Sequence, residues 1–172
     1  MPQLRPKLTW GMILLALPLA AQDLLIDPAP VKQEQPRTIS AELLRYPLSH
    51  KALHMLQNAL QMSDEGDHAG AVKQLLKTIA KYPESGAYVY SLIGVEYLKT
   101  SRIPEAVDAL EQAVQLLPHD ASNHANLGLA WYAEAQYDRA ELELKRALDL
   151  DPHYKMATQV LGMLATAKNT HE

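Results

Sequence analysis

Residues 105–118 read EAVDALEQAVQLLP, and residues 139–152 repeat the same pattern as RAELELKRALDLDP. Ala106 and Ala140 are 34 residues apart, and the prolines that end the two stretches keep the same offset. Within each stretch the apolar residues return every three or four positions, which is the spacing of one face of an α-helix. A fixed period of this length in a helical pattern predicts a solenoid of stacked helical units.

Glycines extend this period along the chain. Gly94, Gly128 and Gly162 follow one another at intervals of 34 residues. A looser copy precedes them, with Gly66 at its turn, and its interval to the next copy is 35 residues, so Gly86 would absorb one inserted residue. Apolar residues keep helical spacing from about residue 49 onward, and we therefore predict helices throughout this part of the chain.

The repeated residues resemble the tetratricopeptide repeat (TPR), whose helix-turn-helix signature is W-x2-L-G-x2-Y, then A-x3-F, then P. The resemblance implies an all-α TPR helix-turn-helix solenoid, with about three repeats plus a C-terminal capping helix, of the short secreted bacterial type. In signature order, the matching residues are Tyr90, Ile93, Gly94, Tyr97, Ala106, Leu110, Ala113 and Pro118 in one copy, and His124, Leu127, Gly128, Trp131, Ala140, Leu144, Ala147 and Pro152 in the next.

The period also predicts the domain boundaries. The TPR domain covers residues 50–168, with repeats at about 52–86, 87–120 and 121–154 and a capping helix at 155–168. Pro104 would stand at the start of a second helix, where its missing N–H costs nothing. Asp120 and Ser122 are the residues expected to cap the helix that follows Pro118.

The first 21 residues have the order of a secretory signal peptide. Arg5 and Lys7 precede an apolar run of 12 residues at 10–21, which is shorter than the roughly 20 residues that a transmembrane helix needs. Cleavage after Ala21 would release a periplasmic or secreted protein. Leu19 stands where a small residue is preferred, so an uncleaved signal that tethers the chain to the membrane remains an alternative.

Residues 22–49 are predicted to be a linker because Pro28, Pro30, Pro36 and Pro47 disfavour a long helix. The linker also carries apolar residues with no obvious place of burial, and it is tethered to the first repeat. We therefore expect it to lie in or beside a groove of the repeat domain.

Composition excludes several functional classes. The formal net charge is −4, from 16 basic and 20 acidic residues that are interspersed, so no basic patch is available for nucleic acid. The chain has no cysteine, which excludes disulfides and thiolate chemistry. His50 and His54 have the i, i+4 spacing of a metal pair, but no third ligand or HExxH pattern accompanies them. We expect no enzyme activity, no metal and no cofactor.

The family resemblance implies that the first helix of each repeat lines a concave groove, where a protein or peptide binds. The positions next to the signature residues are mostly apolar, and an exposed apolar groove is typical of a site for an amphipathic helix or an extended peptide. Packing of some of these residues against neighbouring helices is the alternative. The predicted groove residues are Leu53, Leu56, Gln57, Leu60, Tyr88, Ser91, Leu92, Val95, Leu98, Ser122, Asn126, Leu129, Tyr132, Met156, Val160 and Met163.

One TPR subclass grips the carboxylate end of chaperone tails with Lys, Asn and Arg in its groove. Asn126 matches one of those positions, but Ser91, Val95, Met156 and Val160 stand at the others. The resemblance therefore does not extend to this subclass.

These observations together predict a scaffold or adaptor of the cell envelope that works by binding a protein or peptide. Two alternatives stay open. An accessory chaperone in envelope or secretion-system assembly would use the same groove. A structural protein would instead stack its exposed terminal faces into a homo-oligomer.

Overall fold

The computed structural model describes residues 48–169. Within this range the chain forms seven α-helices and no strand, and six of the helices form three successive helix-turn-helix pairs. This confirms the predicted all-α solenoid of three repeats and a capping helix. The helices are α1 (His50–Asp64), α2 (His68–Lys81), α3 (Gly86–Lys99), α4 (Ile103–Leu116), α5 (Ala121–Ala133), α6 (Tyr137–Leu150) and α7 (Lys155–Asn169).

The predicted signal peptide and nearly all of the predicted linker lie outside the described residues. Between residues 48 and 169, no helix combines the length and the apolar character that crossing a membrane requires.

Small residues set the distance between the two helices of a repeat. Gly94 of α3 lies against Leu110 of α4, and Gly128 of α5 lies against Leu144 of α6. Both leucines are fully buried, as is Ala140 beside Leu144. Because a larger side chain at either glycine would overlap the facing leucine, the sequence period is also a packing period.

The turns inside the three repeats share one backbone geometry. Gly66, Ser101 and Ala135 occupy equivalent positions, and their φ angles are 84°, 58° and 59°. At each turn the next N–H bonds the carbonyl oxygen five residues earlier, as between Asp67 N and Met62 O at 2.8 Å. This pattern is the Schellman motif, which ends a helix and satisfies its last carbonyl groups.

Local signals also fix the starts of the helices. Ser49, Asp67 and Asp120 cap α1, α2 and α5, each with its side chain accepting a hydrogen bond from a backbone N–H in the first turn. Pro104 is in the first turn of α4, as predicted. A 3₁₀ helix, Pro83–Ser85, leads directly into α3 at Gly86, and α3 is one residue longer than α5. The inserted residue is therefore accommodated at the start of α3.

Polar side chains join the first repeat to the second. Glu96 of α3 is buried, and its carboxylate accepts hydrogen bonds from Ser63 Oγ at 2.7 Å, His68 Nδ1 at 2.8 Å and Lys99 Nζ at 3.0 Å. Lys99 Nζ also donates to Ser63 Oγ at 2.7 Å. We call these four residues the junction network. It joins the end of α1 and the start of α2 to α3.

The junction between the second and third repeats has an apolar counterpart of this network. Leu98 and Ile103 stand at the positions of Ser63 and His68, and Ala130 and Ala133 stand at the positions of Glu96 and Lys99. All four lie in or against one hydrophobic cluster. Equivalent places in the two junctions are therefore held together by different interactions.

Candidate functional site

A partly open cleft lies between the first helices of the three repeats, near their N-terminal ends. Its volume is about 280 Å³. Helices α1 and α3 form two of its walls, and the loop and first turn of α5 form the third. The lining residues are Leu48, Leu53, Leu56, Gln57, Leu60, Ala87, Tyr88, Ser91, Leu92, Leu117, Asp120, Ser122 and Asn123.

The spacing of residues on α1 explains why this wall is apolar. Leu53, Leu56 and Leu60 recur at intervals of three and four residues, so they share one face of the helix. Leu56 is buried at the base of this face and packs in the cluster that holds α1, α2 and α3 together. Leu60 is 44% exposed, although burying a leucine side chain lowers the free energy of the folded protein. The face therefore serves the core at one place and offers contact area at another.

The cleft has little electrostatic character. Among the described residues that line it, Asp120 is the only charged one and none is Lys or Arg. The Asp120 carboxylate accepts a hydrogen bond from Asn123 N at 3.0 Å and another from Ser122 Oγ. Its charge is thus engaged in capping α5. A ligand in this cleft would meet mainly aliphatic and aromatic surface.

Half of the predicted groove residues meet in this cleft. They come from the first helices of all three repeats, although the third repeat contributes only one of them. These residues are Leu53, Leu56, Gln57, Leu60, Tyr88, Ser91, Leu92 and Ser122.

Four other predicted groove residues are buried in the core and offer no surface to a ligand. Leu98, Leu129, Tyr132 and Val160 are all at most 5% exposed and pack in the larger hydrophobic cluster. The physical reason is that neighbouring first helices pack along the same faces that carry these residues. The remaining four are half-buried and lie outside the cleft: Val95, Asn126, Met156 and Met163.

Five lining residues were not among those predicted for the groove. Leu48 precedes α1, Ala87 is in the first turn of α3, and Leu117 and Asp120 belong to the loop before α5. Asn123 is in the first turn of α5 and is buried. The prediction used only helix faces. The helix-start signals at Ser49 and Asp120 could have indicated that the residues just before the first helix of a repeat also line the groove.

Two buried groups with shifted pKa values, Glu96 and His124, lie at helix junctions and are not among the residues that line the cleft. Burial opposes ionisation of Glu96, but hydrogen bonds from Ser63, His68 and Lys99 outweigh it and lower its pKa. Burial likewise disfavours the charged form of His124, but Glu143 and the Pro118 carbonyl raise its pKa above the usual value. Both groups hold packed helices together, and neither lines the cleft.

The histidine pair considered for metal binding lies on α1. The nearest hydrogen-bond contact of His54 Nδ1 is Asn58 Nδ2 at 3.4 Å. Across residues 48–169, no group of three or more potential ligand side chains is arranged to hold a metal ion.

Comparisons with known proteins agree with this architecture. The family model described as tetratricopeptide repeat matches residues 56–121 and 92–155, which together are more than half of the chain. Cellulose synthase operon protein C of Escherichia coli K12 is 27% identical over 107 residues, and the match covers 62% of this chain and 9% of that protein. The chain therefore spans only a small part of this relative.

Solved structures show the same fold. MamA from Desulfovibrio magneticus RS-1 has a TM-score of 0.63 and 27% identity, and the match covers 70% of this chain and 67% of that chain. The second TPR domain of human RPAP3, solved in complex with an HSP70 peptide, has a TM-score of 0.62 and 22% identity, with 66% of this chain and 94% of that chain covered. With the family match over the repeats, these findings show that the chain belongs to the tetratricopeptide-repeat family.

Proposed function

We propose that this protein is a non-catalytic scaffold that binds an apolar peptide, or the apolar face of an amphipathic helix, in the cleft between α1, α3 and α5. The observation that carries the proposal is the exposure of Leu60, an apolar side chain, in a cleft whose lining is mainly apolar. Exposed apolar surface of this kind commonly marks a protein-binding site. Membership in the TPR family supports the same class of function.

The cleft chemistry favours an apolar ligand over an acidic one. The peptide bound to the second TPR domain of human RPAP3 is SGPTIEEVD, which is rich in carboxylates near its end. In the part of the chain that the structure describes, the residues that line the cleft include one charged side chain, Asp120, and no cation. An acidic tail would meet repulsion and lose hydration without compensation. We therefore infer that specificity comes from side-chain shape.

The size of the cleft also suits a peptide. A volume of about 280 Å³ is slightly below the roughly 300–1,000 Å³ found for small-molecule pockets. Since the cleft is partly open, a few side chains of a longer ligand would fill it while the ligand backbone stays at the rim. Gln57 and Ser91 line the cleft and would supply polar contacts to that backbone.

We place this function in the cell envelope because residues 1–21 have the pattern of an export signal. Fractionation of cells that produce the untagged chain, followed by N-terminal sequencing, tests the location. A mature chain that starts at residue 22 in the periplasm or medium supports export and cleavage. Intact chain in the cytoplasm contradicts this part of the proposal.

Two leucines provide a matched test of the cleft. Leu60 is 44% exposed and lines the cleft, whereas Leu76 on α2 is 50% exposed and lies outside it. The variants Leu60→Glu and Leu76→Glu should therefore change stability to a similar, small extent. The probes are peptides that are selected from a random peptide display library for binding to the parent chain.

We expect Leu60→Glu to weaken peptide binding by about tenfold or more, since a lost leucine contact costs about 1.5 kcal/mol or more. Leu76→Glu should bind as the parent does. Equal binding by all three proteins would contradict the proposal, as would a library that yields only carboxylate-rich peptides. If Leu60→Glu alone loses binding, crosslinking in envelope extract with the same three proteins would identify the natural partner.

A further inference from the structure

The first described residue of the chain is already part of the cleft. Leu48 lines it and packs against the cluster that contains Leu56. Ser49, next in sequence, caps α1 through a hydrogen bond from Ala52 N at 3.2 Å, which fixes where the helix begins. The preceding chain therefore starts from a point inside the cleft, directly beside the surface proposed to bind a partner.

We propose that residues 38–47, with the sequence TISAELLRYP, occupy this cleft and compete there with the partner. The inference rests on the proposed function, because the regulated surface is the same cleft. Its occupant is a segment of this chain. A partner would have to displace the segment before binding.

The segment is long enough to cross the cleft. Packed helices lie about 8–10 Å apart, so three successive first helices span about 20 Å from the first axis to the last. An extended chain covers about 3.3–3.6 Å per residue, and about six residues upstream of Leu48 would therefore reach the wall formed by α5. The ten residues at 38–47 satisfy this requirement.

The sequence of the segment complements an apolar cleft. In an extended chain, alternate side chains point to the same side, so Leu44 and Tyr46 would share the side of Leu48. Pro47 favours an extended conformation at Tyr46, because the residue before a proline avoids the helical region. One apolar row would thus continue from Leu48 across the lining residues of α1 and α3.

Tethering makes even a weak contact effective. A short flexible connection gives an effective concentration of the order of 1 mM, so a segment with millimolar intrinsic affinity fills the cleft about half of the time. The apparent affinity of a partner falls by the fraction of molecules in which the cleft is filled. The segment would set a threshold for partner binding without any change in the fold.

The absence of cysteine from the chain permits a direct test. In the full chain, Leu44→Cys is combined either with Ser91→Cys, at a cleft residue, or with Lys77→Cys, at an exposed residue of α2 outside the cleft. Both pairs are treated with a short bismaleimide crosslinker. We expect the pair with Ser91→Cys to form an intramolecular crosslink at least about tenfold faster, because docking raises the local concentration.

Two outcomes would overturn the inference. Equal rates in the two pairs would show that the segment does not prefer the cleft. Crosslinks found mainly between two chains would show that the occupant belongs to a second copy. As a second readout, Leu60→Cys is labelled with a thiol reagent in chains with and without Leu44→Asp and Tyr46→Asp. Labelling should accelerate about twofold or more when the segment carries the aspartates, because the open fraction rises from about one half toward one, whereas Leu76→Cys should label at an unchanged rate.

These measurements need no partner, so they separate the two proposals. Crosslinking at Ser91→Cys together with no selectable peptide ligand would support the internal segment and contradict the scaffold. Peptide binding that is sensitive to Leu60→Glu, without preferential crosslinking, would support the scaffold and leave its cleft constitutively open.

Discussion

A Cβ atom on Gly128 would lie 2.6 Å from Cγ of Leu144, a distance at which real side chains do not pack. Gly162 stands one period later at the equivalent position of α7, and a Cβ there would meet nothing within 4 Å. The same residue type is therefore required by packing at one position of the repeat and is free of that requirement at the next.

This contrast predicts opposite effects for one substitution. Gly128→Ala should destabilise the protein by about 1–3 kcal/mol because α5 and α6 would have to move apart. Gly162→Ala should stabilise it by about 0.5–1 kcal/mol, since alanine favours the helix and fits. Urea unfolding of the two variants measures both effects. Changes in unfolding free energy of the same sign for both variants would contradict the assigned packing of Gly128 against Leu144.

The turns predict a second set of changes. Ala135 has a left-handed backbone that costs about 1–2 kcal/mol for residues with a Cβ. Ala135→Gly should therefore stabilise the protein by about 0.5 kcal/mol, after allowing for the greater freedom of glycine when unfolded. Gly66→Ala, at the equivalent turn, should destabilise by about 1 kcal/mol through backbone strain alone, because its Cβ site is open. Denaturant midpoints that move the other way would show that other contacts govern the turns.

The junction network predicts that partial removal is worse than full replacement. Glu96→Ala should cost about 2–3 kcal/mol, because it leaves Ser63, His68 and partly exposed Lys99 without their shared acceptor. Importing the residues of the second junction, as Ser63→Leu, His68→Ile, Glu96→Ala and Lys99→Ala, should return stability to within about 1 kcal/mol of the parent. Thermal unfolding of both variants provides the comparison. If the variant with all four substitutions were less stable than Glu96→Ala, the two junctions would not be equivalent.

His124 predicts a pH dependence. Its Nδ1 lies 2.7 Å from Glu143 Oε2 and its Nε2 lies 3.0 Å from the Pro118 carbonyl oxygen, so both nitrogens face acceptors and the imidazolium satisfies both. Burial and Arg146 oppose the charge, but the acceptors prevail and raise the pKa above 6.5. The stabilisation is therefore complete below about pH 6.5 and is lost as the pH rises through the folded-state pKa.

The matching variant is Glu143→Gln, which removes the carboxylate and keeps the shape. It should cost about 1–2 kcal/mol at about pH 5.5 and less at about pH 8.5, where a smaller fraction of the parent imidazole carries the second proton. Unfolding free energies of parent and variant at the two pH values test this. A loss that is equal at both values would show that His124 does not change its charge in this range.

The fold could be predicted from sequence because small residues and helix ends recur at a fixed interval. Gly94 and Gly128 indicated the period, Pro104 indicated a helix start, and Gly86 indicated where the inserted residue lies. The cleft could be predicted only in part. Leu60 and Leu129 are both leucines near signature positions, yet one is 44% exposed and the other is 4% exposed. Sequence spacing does not show how closely the next first helix approaches, and this approach decides which leucine remains accessible.

The junction network also bears on how such an array can change its number of units. If the second repeat were duplicated in tandem, the Glu96 of the new copy would face Leu98 and Ile103 of the old one, where the parent has Ser63 and His68. The buried carboxylate would then keep Lys99 of its own copy but lose the other two of its three donors, and this loss would destabilise the longer chain. The three repeats share one backbone arrangement, but each repeat has side chains that match its own neighbours. Duplicating one repeat would therefore require compensating substitutions at the new junction.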